Sequence, residues 1–238
     1  MKKMLYCMHV GWNWIKQRPH FIAEELASEY ELTVVSNYTY RQNKKNSIRK
    51  PINFKVKEFY KIPVIDHFKY LRAINDLWKK LYFRRAIRKI SPDYIYVMSP
   101  NAAKFIPKQP KQKVIYDCMD DMIEFESDTK QKKYIYDNEK NVIEKADIVI
   151  ASSDRLMQCL CNRYGIMNTK MKTVVRNGFN GQIIEQKPLL SGTNQYRLCY
   201  FGTFAEWFNF DFVLKSLQDV PNLQYVFIGP LQHGCNMP

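Results

Sequence analysis

Short apolar runs alternate along the chain with stretches of helical periodicity, in a repeated strand-then-helix order. Strands are expected at Met4 to Met8, Glu31 to Ser36, Asn53 to Phe59, Tyr94 to Ser99, Lys113 to Tyr116, Asp147 to Ser152 and Lys172 to Val175. Helices are expected at Pro19 to Tyr30, Phe68 to Lys89, Asp128 to Lys145 and Ser153 to Tyr164. That rhythm predicts an α/β fold: a Rossmann-like parallel sheet with helices on both faces, whose ligands collect at the carboxyl ends of the strands.

Local signals agree with these boundaries. Pro19 suits a first helical turn, Ser152 or Ser153 can cap the helix that follows, and Gly165 stands where a helix ends in the left-handed conformation. Asn180 to Asn194 mixes Gly, Pro, Ser and Thr without a sustained period and reads as a linker. After it, Arg197 to Asp211 reads as a strand, a glycine turn and a helix start, followed by a strand from Leu223 to Ile228. The expected organisation is a first domain over residues 1–179, a linker over 180–195, and the opening β-α-β of a second Rossmann-like domain over 196–238. With few elements to cover its apolar residues, that unit is expected to self-associate or dock elsewhere.

Composition adds the compartment and the partners. A chain of 238 residues with 46% hydrophobic content lies outside the disordered class and contains no run of eighteen apolar residues. Without a signal-peptide core the expected location is cytoplasmic, peripheral on the membrane's inner face at most. Six cysteines (7, 118, 159, 161, 199, 235) show no disulfide framework, and four scattered histidines fit no metal template. The net charge of +14 is concentrated, because Asn37 to Lys113 carries twenty Lys or Arg against four acids. An anionic polymer or membrane is the natural partner of such a surface. Specific nucleic-acid binding is the weaker use, since no aromatic stacking platform accompanies the charge.

Within that basic region, Leu71, Ile74, Leu77, Trp78, Leu81 and Tyr82 share one arc at 100° per residue, opposite Lys69, Arg72, Lys79 and Lys80. From Phe83 the apolar face rotates, which predicts a bend. Two uses of the helix stay open: packing on the sheet with a solvated basic face, or contact with an anionic membrane through Lys79, Lys80, Arg84, Arg85 and Arg88.

The eight glycines fall at neither dinucleotide-binding nor P-loop spacing. Chemistry must therefore come from turns at strand ends: His9-Val-Gly11-Trp12, Asp117-Cys-Met-Asp120-Asp121, Arg176-Asn177-Gly178 and Gly202-Thr203. A carboxylate there can deprotonate a hydroxyl, which makes Asp120 and Asp121 candidate bases, against the alternative of a helix cap. Gly11 and its neighbours either line a cleft or only make a tight turn, and Asn177 with Gly178 shapes an exit turn.

In order along the chain, Gln17-Arg-Pro-His20 with Ile22-Ala-Glu-Glu-Leu26, Tyr116-Asp-Cys-Met-Asp-Asp121, Ala146-Asp-Ile-Val-Ile-Ala-Ser-Ser153, Val175-Arg-Asn-Gly-Phe179, Tyr200-Phe-Gly-Thr203 with Trp207-Phe-Asn209, and Ile228-Gly-Pro230 resemble the landmarks of GT-B glycosyltransferases. The resemblance is to group 1 or family 4-like enzymes of teichuronic acid, capsule and exopolysaccharide synthesis. It implies transfer of a sugar from a nucleotide-diphosphate sugar to a lipid-linked or glycan acceptor, without a metal or other cofactor. The acceptor would be bound by the first domain and the donor mainly by the second. It also implies a catalytic role for His20 and substrate contacts at Gly11, Trp12, Arg18, Asn177, Gly178, Gly202 and Thr203. One departure stands out: Thr203, Glu206 and Trp207 follow Gly202, where the family usually places Arg or Lys. The segment with paired glutamates that grips the donor is not found before Pro238, so the chain alone is expected to be inactive. A non-catalytic binding module of the same fold is the rival reading.

Overall fold

A computed structural model describes residues 1–13, 15–38, 53–60, 69–166, 170–179, 181–182, 195–205 and 208–231. They belong to two compact units, Met1–Gly178 and Phe179–Pro238. The basic loop Tyr40 to Lys50, most of the linker, and Glu206 with Trp207 lie outside the described residues.

The first unit runs β1 (Lys3–Cys7), α1 (Arg18–Glu29), β2 (Glu31–Tyr38), β3 (Lys55–Tyr60), α2 (Lys69–Ile90), β4 (Tyr94–Val97), a 3-10 turn (Pro100–Lys104), β5 (Lys113–Cys118), α3 (Thr129–Lys145), β6 (Ile148–Ala151), α4 (Asp154–Tyr164) and β7 (Met171–Val174). Its seven strands are parallel and ordered β3-β2-β1-β4-β5-β6-β7. The expected Rossmann-like α/β class is the fold found. The strand order reverses between β1 and β4, so the carboxyl ends of those two strands flank a crevice that neither crossover covers.

Strand β1 shows how the sequence builds the core. Met4, Leu5, Tyr6 and Cys7 are all buried, because helices cover both faces of the sheet. Leu5 and Cys7 join the cluster that includes Phe83 of α2, Val142 of α3 and Leu160 of α4. Met4 and Tyr6 point to the opposite face and join Ala23 of α1. The helix boundaries follow their caps: Asp128 accepts from the Gln131 amide at 2.8 Å, Ser153 from the Leu156 amide at 3.1 Å, and Gly165 ends α4 at φ 60°.

Helix α2 departs from expectation in one respect. It is a single helix of 22 residues, and of the apolar arc in its first half Tyr82 packs on the core while the other described members face outward. Ile74, Leu77, Trp78 and Leu81 are exposed at 55, 58, 49 and 40%. The helix is anchored instead by Asn75, Phe83 and Ala86, with Tyr82, Ile87 and Ile90 packed alongside. The apolar pattern rotates at Phe83 because the C-terminal half packs inward while the first half turns its apolar arc outward.

The second unit holds β8 (Tyr196–Phe201), α5 (Phe210–Asp219) and β9 (Leu223–Ile228), with β8 parallel to β9. Phe204 is buried in an aromatic nest with Tyr200, Phe208 and Phe227, at ring separations of 5.0, 5.1 and 5.4 Å. Gly202 and Gly229 have φ of 156° and 151°, and a Cβ on Gly229 would meet the Gly202 carbonyl oxygen at 1.7 Å, so the two strand ends approach where no side chain fits. Leu198, Phe201 and Phe212 remain exposed.

These placements separate two leucines that look alike in the sequence. Leu160→Ala empties a fully buried site and is expected to cost about 2–5 kcal/mol, whereas Leu77→Ala on the exposed arc of α2 changes stability by less than about 0.5 kcal/mol. Urea denaturation of the two variants checks this. A large loss at Leu77 would place that arc in the core.

Candidate active site

The carboxyl ends of β1, β4 and β5 open into a cavity of about 490 Å³ at the point where the strand order reverses. Its lining includes Met8 and His9 after β1, Met98 and Ser99 after β4, Met119 and Asp120 after β5, and Asn75, Asp76 and Lys79 from α2. Phe59, Phe83 and Phe105 supply an apolar floor. The sequence turn at His9 therefore does reach a site, but the residue that lines it is His9 itself. Burial lowers the His9 pKa while the Asp120 and Asp117 carboxylates pull it back up, leaving a neutral imidazole at neutral pH.

The two aspartates after β5 part company. Asp120 is exposed and lines the cavity. Asp121 is held by both guanidinium nitrogens of Arg163, at 2.8 and 2.7 Å, which fastens the loop to α4. A carboxylate so engaged is a clamp and is poorly placed to take a proton, so the pair expected from sequence reduces geometrically to Asp120.

His20 likewise has structural employment. It is 3% exposed, accepts at Nδ1 from the Gln17 amide at 3.3 Å, and donates from Nε2 to the Trp12 carbonyl at 3.1 Å. Burial lowers its pKa, which keeps the neutral tautomer that this pattern needs. Trp12 packs on His20 at 5.1 Å and edge-on to Phe54 at 5.2 Å, so it braces the loop after β1. Neither Gly11 nor Trp12 is among the residues lining the cavity.

Arg18, expected at substrate, is engaged inside the fold. One guanidinium nitrogen contacts both oxygens of Asp117 at 3.1 and 3.2 Å, and the other donates to the Val175 carbonyl and to Asn177 Oδ1 at 2.7 and 3.1 Å. Asp117 is fully buried and also accepts from the Tyr96 hydroxyl at 2.7 Å. Burial raises the Tyr96 pKa far above its ordinary value, so the phenol stays a donor. Asn177 is thus a member of this network. Gly178 has no positive φ, and a Cβ added to it would meet nothing within 4 Å, so its backbone does not require glycine. In the second unit, Gly202 is demanded by its φ, and the Thr203 carbonyl accepts from the Tyr200 hydroxyl at 3.2 Å.

Of the five cations assigned to a membrane, Lys80, Arg84, Arg85 and Arg88 are exposed. Lys79 points inward, its ammonium 4.6 Å from the Phe105 ring centroid. Among the described residues no group of three or more His, Cys, Asp or Glu is arranged to hold a metal. No described helix is long and apolar enough to cross a membrane.

The Asp117 network gives a sharp stability test. Arg18→Met strands a buried carboxylate and is expected to cost about 3–5 kcal/mol, while adding Asp117→Asn recovers part of that loss. Denaturant titration of the single and double variants checks it. Equal stability of Arg18→Met and the wild type would mean that the pair carries no structural weight.

No family model matches the sequence, and no curated protein matches it with significance. Solved structures do share its fold. Sucrose-phosphate synthase from Thermosynechococcus elongatus matches with a TM-score of 0.69 at 11% identity, over 99% of this chain and 64% of that one. An α,α-trehalose-phosphate synthase (UDP-forming) from Burkholderia vietnamiensis matches with a TM-score of 0.54 at 11% identity, over 98% of this chain and 65% of that one. The chain thus spans just under two thirds of the length of either protein, and the likeness shows a shared Rossmann-like α/β fold.

Proposed function

We propose that the protein is a glycosyltransferase that moves a sugar from a nucleotide-diphosphate donor to a lipid-linked or glycan acceptor, in the synthesis of a bacterial surface polysaccharide. The observation that carries the reading is the cavity at the β1/β4 crevice, which brings His9 and Asp120 to one site in a Rossmann-like α/β fold. One protein of that fold is described as UDP-forming, and UDP is a leaving group that such a donor releases.

In this reading the acceptor hydroxyl sits in the first unit's cavity and His9 removes its proton. A neutral imidazole near pH 7 suits a general base. Asp120, whose charge already raises the His9 pKa, stabilises the imidazolium as it forms. The donor is held mainly by the second unit, at the turn after β8. No metal is needed, because basic side chains and helix N-termini can balance the diphosphate.

Acceptor delivery from a membrane is the finer part of the proposal, and it rests on α2. Ile74, Leu77, Trp78 and Leu81 form an exposed apolar ridge, and Lys80, Arg84, Arg85 and Arg88 are exposed beside and beyond it. An apolar ridge bordered by cations matches an anionic lipid surface, with Trp78 at headgroup depth and the arginines on the phosphates.

Two measurements test the proposal. Protein expressed from its full reading frame is offered labelled UDP-, GDP- and ADP-sugars with a polyprenyl-phosphate glycolipid. Transfer is expected to fall about 100-fold or more in His9→Ala and less steeply in Asp120→Asn. Transfer with no donor, or transfer indifferent to His9, would overturn the reading. In the second, the chain is sedimented with phosphatidylglycerol vesicles. Binding should weaken with salt, fall sharply when Leu77 and Trp78 become Ser, and fall when the four exposed cations become Gln. Vesicle binding unaffected by both sets would remove the membrane from the proposal.

A further inference from the structure

Among the described residues, the Asn75 side chain in the cavity finds no hydrogen-bond partner. Asn75 lies on the inward face of α2, 6% exposed, and neither its Oδ1 nor its Nδ2 has a hydrogen-bond partner. It lines the cavity. A buried amide in that state opposes folding, and native proteins keep very few of them. The other buried residues along α2, Phe83 and Ala86, are apolar, so the surroundings do not call for an amide. A buried amide without a protein partner that lines a cavity is free to pair with a ligand that enters it.

The neighbours narrow the ligand. Phe59, Phe83 and Phe105 present apolar surface, and Ser99, Asn101 and Gln131 add neutral polar groups around the same space. Asp76, the next residue on the helix, is already paired with Lys104 at 2.6 Å. The site at Asn75 therefore offers donors and acceptors beside aromatic surface, with Asp76 already paired, Lys79 held against the Phe105 ring and Asp120 lining the same space.

We infer that Asn75 grips two adjacent hydroxyls on a neutral sugar ring of the acceptor, an inference that rests on the glycosyltransferase reading above. A carboxamide carries a donor and an acceptor side by side in one plane, so one hydroxyl accepts from Nδ2 while its neighbour donates to Oδ1. The C–H face of the ring lies on the phenylalanines. Further hydroxyls reach the polar groups at Ser99, Asn101 and Gln131. A nucleobase edge has the same donor-acceptor pair as a diol, so uridine is the comparison that separates the two.

Ligand-observed NMR on the intact chain, with methyl pyranosides and their monodeoxy derivatives as probes and uridine as the comparison, decides the matter. At least one pyranoside is expected to bind the wild type and to bind Asn75→Leu about tenfold more weakly, a loss typical of one buried polar group. Removing either hydroxyl of the pair should weaken wild-type binding similarly and make no further difference in Asn75→Leu. The variant itself should melt about 2–4 °C higher, since it sheds an unsatisfied buried amide, so poor folding cannot mimic the result. No binding by any pyranoside, equal binding by the variant, or Asn75 dependence for uridine alone overturns the inference. Asn75-dependent sugar binding without any transfer would sink the transferase reading instead, and transfer unchanged in Asn75→Leu would sink only this one.

Discussion

The first unit is organised around a charge that cannot reach water. Asp117 is fully buried at the end of β5, and the strand continues straight into the loop that carries Asp120 and Asp121. Its compensation comes from three directions: Arg18 at the start of α1, Tyr96 on β4, and, through Arg18, Asn177 and the Val175 carbonyl beyond β7. A buried carboxylate is tolerable only when such partners are held in place, so the register of β4, the entry of α1 and the exit from β7 are all fixed by one ion. The loop after β1 is then pinned to α1 by His20 through Gln17 and Trp12, which leaves His9 at the crevice. Of the residues singled out in the sequence, His20, Asp121 and Arg18 thus brace the site, while Asp120 faces the cavity.

Helix α2 faces two environments. Its inward face contributes Asn75 and Lys79 to the cavity, and Phe83 and Ala86 to the core around it. Its outward face shows an apolar first half and a basic second half. A single helix therefore joins the lining of the cavity to that outward surface. This accounts for an α2 that is poorly amphipathic as a whole although each half is patterned: the two halves answer to different surroundings.

The second unit is built on aromatic contacts around Phe204 and on the glycine pair that lets β8 and β9 run side by side to their carboxyl ends. Asn209 caps α5 by accepting from the Phe212 amide at 2.8 Å, so the strand-turn-helix unit is locally well specified. Among the described residues, two strands and one helix leave Leu198, Phe201 and Phe212 exposed.

By itself the sequence determined the local and periodic features. Strand and helix positions, a serine cap at Ser152 or Ser153, the left-handed end at Gly165, and the Rossmann-like class all follow from patterns that repeat within a few residues, where backbone geometry and side-chain chemistry suffice. Tertiary structure alone decided which polar residues meet. Arg18 and Asp117 are 99 positions apart, far beyond the reach of any local pattern, and only the sheet brings them within 3.1 Å. The same holds for the choice between Asp120 and Asp121, which depends on Arg163 from α4, and for Asn75, which in the sequence is one polar residue among several on a basic helix. The apolar arc of α2 was legible but its direction was not, because periodicity fixes which residues share a face and leaves open what that face meets.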